Sequence, residues 1–209
     1  MKGKGSQTPV EDFEGSWQVC SPESVAGFSA VGYFFGRELL QQLNVPIGLI
    51  DDSWGGSACE AWIRRDRLEG NPLYETQLAN WDKMAAEFEK DKDPNKGNQL
   101  VGNHRPANLY NARIMPVLGY AIRGAIWYQG ESNAARAFQY REMFPLMIKT
   151  WREDWKQGDF PFYWVQLADF MDEKPEPGDS AWAELREAQS MTMDKLPNTG
   201  EAVIIDIGE

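Results

Sequence analysis

Ala121-Ile122-Arg123-Gly124-Ala125-Ile126-Trp127-Tyr128-Gln129-Gly130-Glu131-Ser132-Asn133 is the stretch that decides the fold. Its first half is a short apolar run, and its second half concentrates polar groups around a glycine. A buried parallel strand has this pattern, because both of its faces are covered and it delivers side chains at its carboxyl end. Open α/β folds build their sites on that edge of the sheet. Function is therefore sought at strand ends.

A second strand end repeats the arrangement. Val45-Pro46-Ile47-Gly48-Leu49-Ile50 runs into Asp51-Asp52-Ser53-Trp54-Gly55-Gly56-Ser57, and Glu60-Ala61-Trp62-Ile63 reads as the start of a helix. Two adjacent glycines permit a tight turn with unobstructed backbone N–H groups. Such a turn suits an anion or the negative oxygen of a reaction intermediate.

Around these strands the apolar spacing predicts helices. Phe28, Val31, Phe35, Leu39 and Leu43 recur every three to four residues, with Ser24 or Ser29 as cap. Further helices are expected over 74–88, over 108–118 with Pro116 disturbing the last turn, and over 182–195. The clearest stripe is Tyr140, Phe144, Met147, Ile148, Trp151 and Trp155, ending near Gly158. Asp91 to Asn98 reads as a solvated loop. Phe160–Leu167 and Ala202–Ile207 are the remaining strands. Helices alternating with strands define an α/β layer structure with a largely parallel sheet.

The 209 residues, 42% hydrophobic with nine tryptophans, suffice for one domain with a real core, so residues 1–16 are read as a polar leading segment and 17–209 as the domain. The formal charge of -11, from 32 acidic against 21 basic residues, is spread along the chain and disfavours nucleic acid and anionic lipid. No apolar stretch is long enough to cross a bilayer. Met1-Lys2-Gly3-Lys4-Gly5-Ser6 has the charge of a secretion leader without the apolar segment that follows one, so no signal peptide is expected here and localisation stays open. Cys20 and Cys59 either pair or remain small buried thiols. One histidine, separated cysteines and no ligand-spaced carboxylates give no metal motif, and the glycine turns lack both the P-loop lysine and the dinucleotide fingerprint. Neither metal nor cofactor is expected. Oligomeric state is not legible.

Four blocks carry a resemblance: Gly27-Phe28-Ser29-Ala30-Val31-Gly32-Tyr33-Phe34-Phe35-Gly36, Ile50 to Ser57 with Glu60-Ala61-Trp62, Ile126 to Asn133, and Ile205-Asp206-Ile207-Gly208-Glu209. From about Trp17 to the last residue the chain resembles the sialate O-acetylesterase family of SGNH-type hydrolases. The resemblance implies a three-layer α/β/α fold with a mainly parallel sheet, and a serine esterase that removes acetyl groups from carbohydrate. In that family a Gly-Gln-Ser-Asn block supplies the nucleophile and an Asp-x-x-His block the base; neither block occurs in this sequence. The expectation is a partial domain, incomplete at both ends and inactive alone, whose full-length relatives are secreted, periplasmic or lysosomal.

Carried over residue by residue, the resemblance makes Gly56 N–H the candidate oxyanion donor, with Gly55 beside it; a purely conformational turn glycine is the alternative. Gln129 is expected to aim its amide at the same charge, and Asn133 either to join it or to brace the loop. Glu131 is expected to orient loops or substrate hydroxyls. Ser57 lacks the second glycine of Gly-x-Ser-x-Gly, so it reads as a cap, loop stabiliser or substrate contact rather than a nucleophile. His104 reads as a loop residue. Two other readings compete: a glycoside hydrolase using Glu60 and Glu131, and a noncatalytic carbohydrate-binding module displaying Trp54, Trp62, Trp127 or Tyr128.

Overall fold

The computed structural model describes residues 4–170 and 176–207. Met1–Gly3 of the leading segment, the 171–175 part of the acidic loop, and Gly208-Glu209 of the last sequence block lie outside the described residues.

Seven α-helices are described: α1 (Pro22–Val25), α2 (Ala30–Leu43), α3 (Arg65–Leu68), α4 (Pro72–Asp91), α5 (Pro94–Leu100), α6 (Ala137–Trp155) and α7 (Ala181–Lys195). The strands β1 (Ala125–Trp127), β2 (Phe162–Val165) and β3 (Thr199–Ala202) form a parallel sheet in the order β1-β2-β3. Each strand is followed by polar or irregular chain at its carboxyl end, as the opening stretch implies.

The predicted α6 stripe is the core. Tyr140, Phe144, Met147, Ile148 and Trp151 are buried, and Phe144 and Trp151 meet Phe162 of β2 edge-on. Trp62, Trp127 and Trp151 pack edge-to-face around one another, so they fill the core rather than form a surface platform. Each large side chain buried here contributes roughly 1.5–3 kcal/mol of transfer free energy. Lys156 in the left-handed region caps α6, and Gly158 at φ +69° completes the turn. Leu185 and Ala188 of α7 join the same cluster.

The opposite face of the sheet is thinly covered. Val31 and Phe35 of α2 line an apolar groove of about 300 Å³ with Ile126, Tyr163 and Val165. Helices on both sides of the sheet make three layers. Yet α2 buries only Gly32 and Gly36, while Phe34 and Leu43 are 54% and 58% exposed, so the predicted α2 stripe is not a buried one.

Several local expectations are corrected. Val45–Ile50 forms no strand among the described residues: no backbone hydrogen bond joins it to the β1-β2-β3 ladder. The last strand is Thr199–Ala202, not Ala202–Ile207. Its register against β2 begins at Phe162↔Thr199 and ends at Val165↔Ala202, so the apolar residues Val203 and Ile205 fall beyond the ladder and are exposed. Asp91–Asn98 is not all loop: Asp93 caps α5 and Pro94 occupies its first turn. Between 108 and 118 a π turn (Tyr110–Ile114) passes into a 3-10 turn (Met115–Val117), since Pro116 has no N–H to continue a regular helix. Cys59 is buried but Cys20 is exposed, and the two are unpaired.

Candidate active site

The two glycine-bearing strand ends meet. Gln129 Nε2 donates to the Ser57 carbonyl at 2.8 Å and to Asn133 Oδ1 at 2.7 Å, while Gln129 Oε1 accepts from the Tyr140 hydroxyl at 3.0 Å. Asn133 completes the staple: its Oδ1 also accepts from the Cys59 N–H at 2.9 Å and its Nδ2 donates to Glu60 Oε2 at 2.9 Å. Both side chains are buried and every strong donor they own is used. In this arrangement Gln129 aims neither amide proton at an open position; Gln129 and Asn133 brace the 55–60 loop.

Gly56 is held differently. Its φ of +70° is the left-handed conformation that glycine adopts without a Cβ clash. The preceding carbonyl, Gly55 O, accepts from Asn103 Nδ2 at 2.9 Å. In a trans peptide the C=O and the following N–H point in opposite directions. Anchoring Gly55 O on Asn103 therefore turns the Gly56 N–H away from Asn103, and among the described residues it donates to no protein acceptor. The Gly56 carbonyl in turn accepts from Ser132 Oγ at 2.9 Å and His104 Nε2 at 2.8 Å. Both peptides flanking Gly56 are fixed from outside the loop, leaving one preoriented donor.

The remaining candidates separate around this donor. Gly55 is exposed beside it. Ser57 does not cap the 3-10 turn Cys59–Trp62, which has no side-chain cap; its Oγ accepts from the Trp62 indole at 2.9 Å. His104 binds Gly56 O, not Ser57. Glu131 is exposed on the loop surface. Glu60 is 1% exposed and fully engaged, by Asn133, by Gln77 and by Arg136 Nη2 at 2.6 Å, so it cannot serve as an accessible acid beside Glu131. Among the described residues no cluster of potential metal ligands occurs.

Three bracing residues escaped the sequence reading. Asn103 and Ser132 sit in turn-rich loops with nothing to mark their partners. Gln189, fully buried on α7, donates to Gln129 O at 3.0 Å and accepts from Leu167 N–H at 3.0 Å, tying the ends of β1 and β2 together. A glutamine between Leu185, Ala188 and Thr192 on the buried face of α7 is the available signal. Gly130 is required sterically: a Cβ there would lie 2.6 Å from Leu185 Cδ2 and 3.0 Å from Leu167 Cγ.

Electrostatics single out Asp52. Burial pushes its carboxyl up from 3.8 to about 7, against the pull of Arg113, whose Nη1 lies 3.2 Å from Oδ1. Desolvation wins over the ion pair here.

A family model described as carbohydrate esterase, sialic acid-specific acetylesterase, matches residues 96–204, more than half of the chain. The chain belongs to this family of carbohydrate esterases. The sialate O-acetylesterase of Mus musculus is 33% identical over 206 residues, covering 86% of this chain and 37% of that protein. The Homo sapiens sialate O-acetylesterase is 32% identical over 192 residues, covering 86% and 33%. A solved carbohydrate acetylesterase from Xanthomonas citri superposes with a TM-score of 0.79 and 39% identity, over 100% of this chain and 42% of that one. The chain thus spans roughly a third of the length of these curated relatives. Its α/β layers are those of an SGNH-like carbohydrate esterase.

Proposed function

We propose that this chain forms the oxyanion-binding part of a carbohydrate O-acetylesterase that hydrolyses acetyl esters on a sugar through a serine acyl-enzyme. The observation that carries the reading is the Gly56 N–H, fixed on both sides and, among the described residues, directed at no protein acceptor. When a serine oxygen adds to the acetyl carbonyl, the C=O electron pair moves onto the carbonyl oxygen, and a preoriented N–H there lowers the barrier without reorganising. One such donor contributes about 3 kcal/mol of transition-state stabilisation. Gln129 and Asn133 act through the loop: they hold the Ser57 carbonyl and the Cys59 N–H, so the Gly56 peptide cannot rotate away. Collapse of the tetrahedral species expels the sugar hydroxyl, protonated by a histidine base, and water then releases acetate.

Serine and base belong to the Gly-Gln-Ser-Asn and Asp-x-x-His blocks that this sequence does not contain. The test is acetate release from O-acetylated sugars, by the full gene product and by residues 1–209 alone. The full gene product deacetylates; the 209-residue chain stays at background. No deacetylation by the full gene product contradicts the reading. So does turnover by the 209-residue chain that Ser57→Ala abolishes, because it would make Ser57 the nucleophile.

A further inference from the structure

Trp54-Gly55-Gly56-Ser57 is a closed turn: the Ser57 N–H donates to Trp54 O at 3.3 Å, and Gly56, its third residue, has φ +70°. A positive φ at that position marks a type II turn. Types I and II differ chiefly in the orientation of the central peptide, which here carries Gly55 O at one end and the Gly56 N–H at the other. Turning that peptide over changes ψ of Gly55 and φ of Gly56 and leaves the flanking chain in place. It aims the Gly56 N–H to the other side of the turn and puts Gly55 O where the N–H had been.

Within the turn, little chooses between the two orientations. Both central residues are glycines, so neither orientation carries a Cβ penalty. Both are also exposed: a Cβ on Gly55 would meet nothing within 4 Å, and one on Gly56 only Asn103 Nδ2 at 3.9 Å. Ser132 Oγ and His104 Nε2 hold Gly56 O in the next peptide, and Gln129 holds Ser57 O in the one after it, so these braces set where the turn lies. Among the described residues, only Asn103 grips the central peptide itself, its Nδ2 donating to Gly55 O at 2.9 Å. A carbonyl oxygen can only accept, so the amide nitrogen of Asn103 is the atom that faces it. Asn103 is held in place in turn, because its own carbonyl accepts from the Ala58 N–H at 3.1 Å, just past the turn.

Resting on the esterase reading, we propose that Asn103 is a positioning residue that selects the orientation of the Gly55–Gly56 peptide and thereby decides whether the turn can serve an oxyanion. In the bonded orientation the Gly56 N–H presents partial positive charge to the site. After a flip the Gly55 carbonyl presents partial negative charge to an oxygen that is itself gaining charge, so the flipped turn opposes the reaction. One hydrogen bond between uncharged groups shifts a two-state ratio roughly two- to tenfold.

Asn103→Leu and Asn103→Asp separate selection of orientation from packing. Leucine removes the donor and offers nothing in return. Aspartate keeps the shape of asparagine, but its carboxylate repels Gly55 O and accepts from the Gly56 N–H once the peptide has turned over. Selection of orientation therefore makes the closer isostere the more damaging one. A purely structural role makes it the milder.

The test reads the turn by NMR of the glycine-labelled 209-residue chain. A type II turn brings the Gly55 Hα close to the Gly56 N–H and a type I turn moves it away, so the cross-relaxation peak between these protons reports the orientation. The peak is strong in the wild type, weaker in Asn103→Leu and weakest in Asn103→Asp. In the full gene product, kcat for acetate release follows the same order, about 3- to 10-fold lower for Asn103→Leu and at least about 30-fold lower for Asn103→Asp, with KM little changed. An undiminished peak in both variants, a smaller loss for Asn103→Asp than for Asn103→Leu, or a rise in KM at constant kcat overturns the proposal. Absence of acetate release by the wild-type full gene product removes the esterase reading instead, while the NMR peak still decides whether Asn103 sets the orientation of the turn.

Discussion

Gln129 and Ser57 are separated by 72 positions in the chain, yet the Gln129 amide donates to the Ser57 carbonyl at 2.8 Å in the protein interior. Through this bond the loop after β1 fixes the turn that carries Gly56. A Gln129→Leu variant keeps side-chain bulk but removes the donor and acceptor, orphaning Ser57 O and the Tyr140 hydroxyl. The expected destabilisation is on the order of 2–4 kcal/mol by urea denaturation of the 209-residue chain. In the full gene product the variant lowers kcat about 10- to 100-fold with little change in KM, because only transition-state binding is lost. A parallel rise in KM at constant kcat would show that Gln129 positions the sugar instead.

The two glycines of the site answer differently to a methyl group. Gly130→Ala forces its Cβ into Leu185 and Leu167 and costs about 1–3 kcal/mol. At Gly56 the nearest neighbour of an added Cβ is Asn103 Nδ2 at 3.9 Å, so Gly56→Ala pays only for the positive φ, about 1 kcal/mol. Chemical denaturation ranks the pair; a larger loss at Gly56 would mean that the turn is packed rather than open.

Asp52 gives stability a pH dependence of unusual sign. Its folded pKa of about 7 lies above the ordinary carboxyl value of 3.8, so between these values the folded state holds a proton that the unfolded state has released. Its contribution is complete below about pH 4 and is lost as pH rises to about 7, a change on the order of 2–4 kcal/mol. Asp52→Asn removes this slope. Melting temperatures at pH 5 and pH 7.5 check it: the gap narrows in the variant, and an unaltered gap would assign the dependence to other groups.

How far the sequence speaks depends on the range of the interaction. The α6 stripe was legible because burial repeats with the helix period, and all six predicted positions, Tyr140 through Trp155, lie in the core. The third strand was misplaced because register is fixed by the partner: β2 pairs with polar Thr199-Gly200-Glu201 and leaves the apolar Val203 and Ile205 outside. Asp93-Pro94 within Asp91 to Asn98 has the composition of a solvated loop, although the same pair is a helix start. At the site, the glycines and Gln129 were visible as residue types at strand ends. What Gln129 does was not, since the partners that consume its amide lie in the other loop and in α6. Asn103 and Gln189 act only through contacts across the chain, so no local pattern marks them.

The exposed apolar face around α2 has a consequence for the isolated polypeptide. Val31, Phe34, Leu43, Val45 and Ile50 are each exposed, and exposed apolar side chains at this density promote association. Sedimentation velocity of the 209-residue chain shows concentration-dependent self-association, which Phe34→Glu with Leu43→Lys suppresses. A sharp monomer at every concentration contradicts this.

The donor role of Gly56 is tested most directly by a crystal structure of the full gene product after its serine has reacted with an organophosphate, whose phosphoryl oxygen stands in for the oxyanion. That oxygen should lie about 2.7–3.1 Å from the Gly56 nitrogen. An oxygen held by other donors, with the Gly56 N–H still facing solvent, would contradict the account.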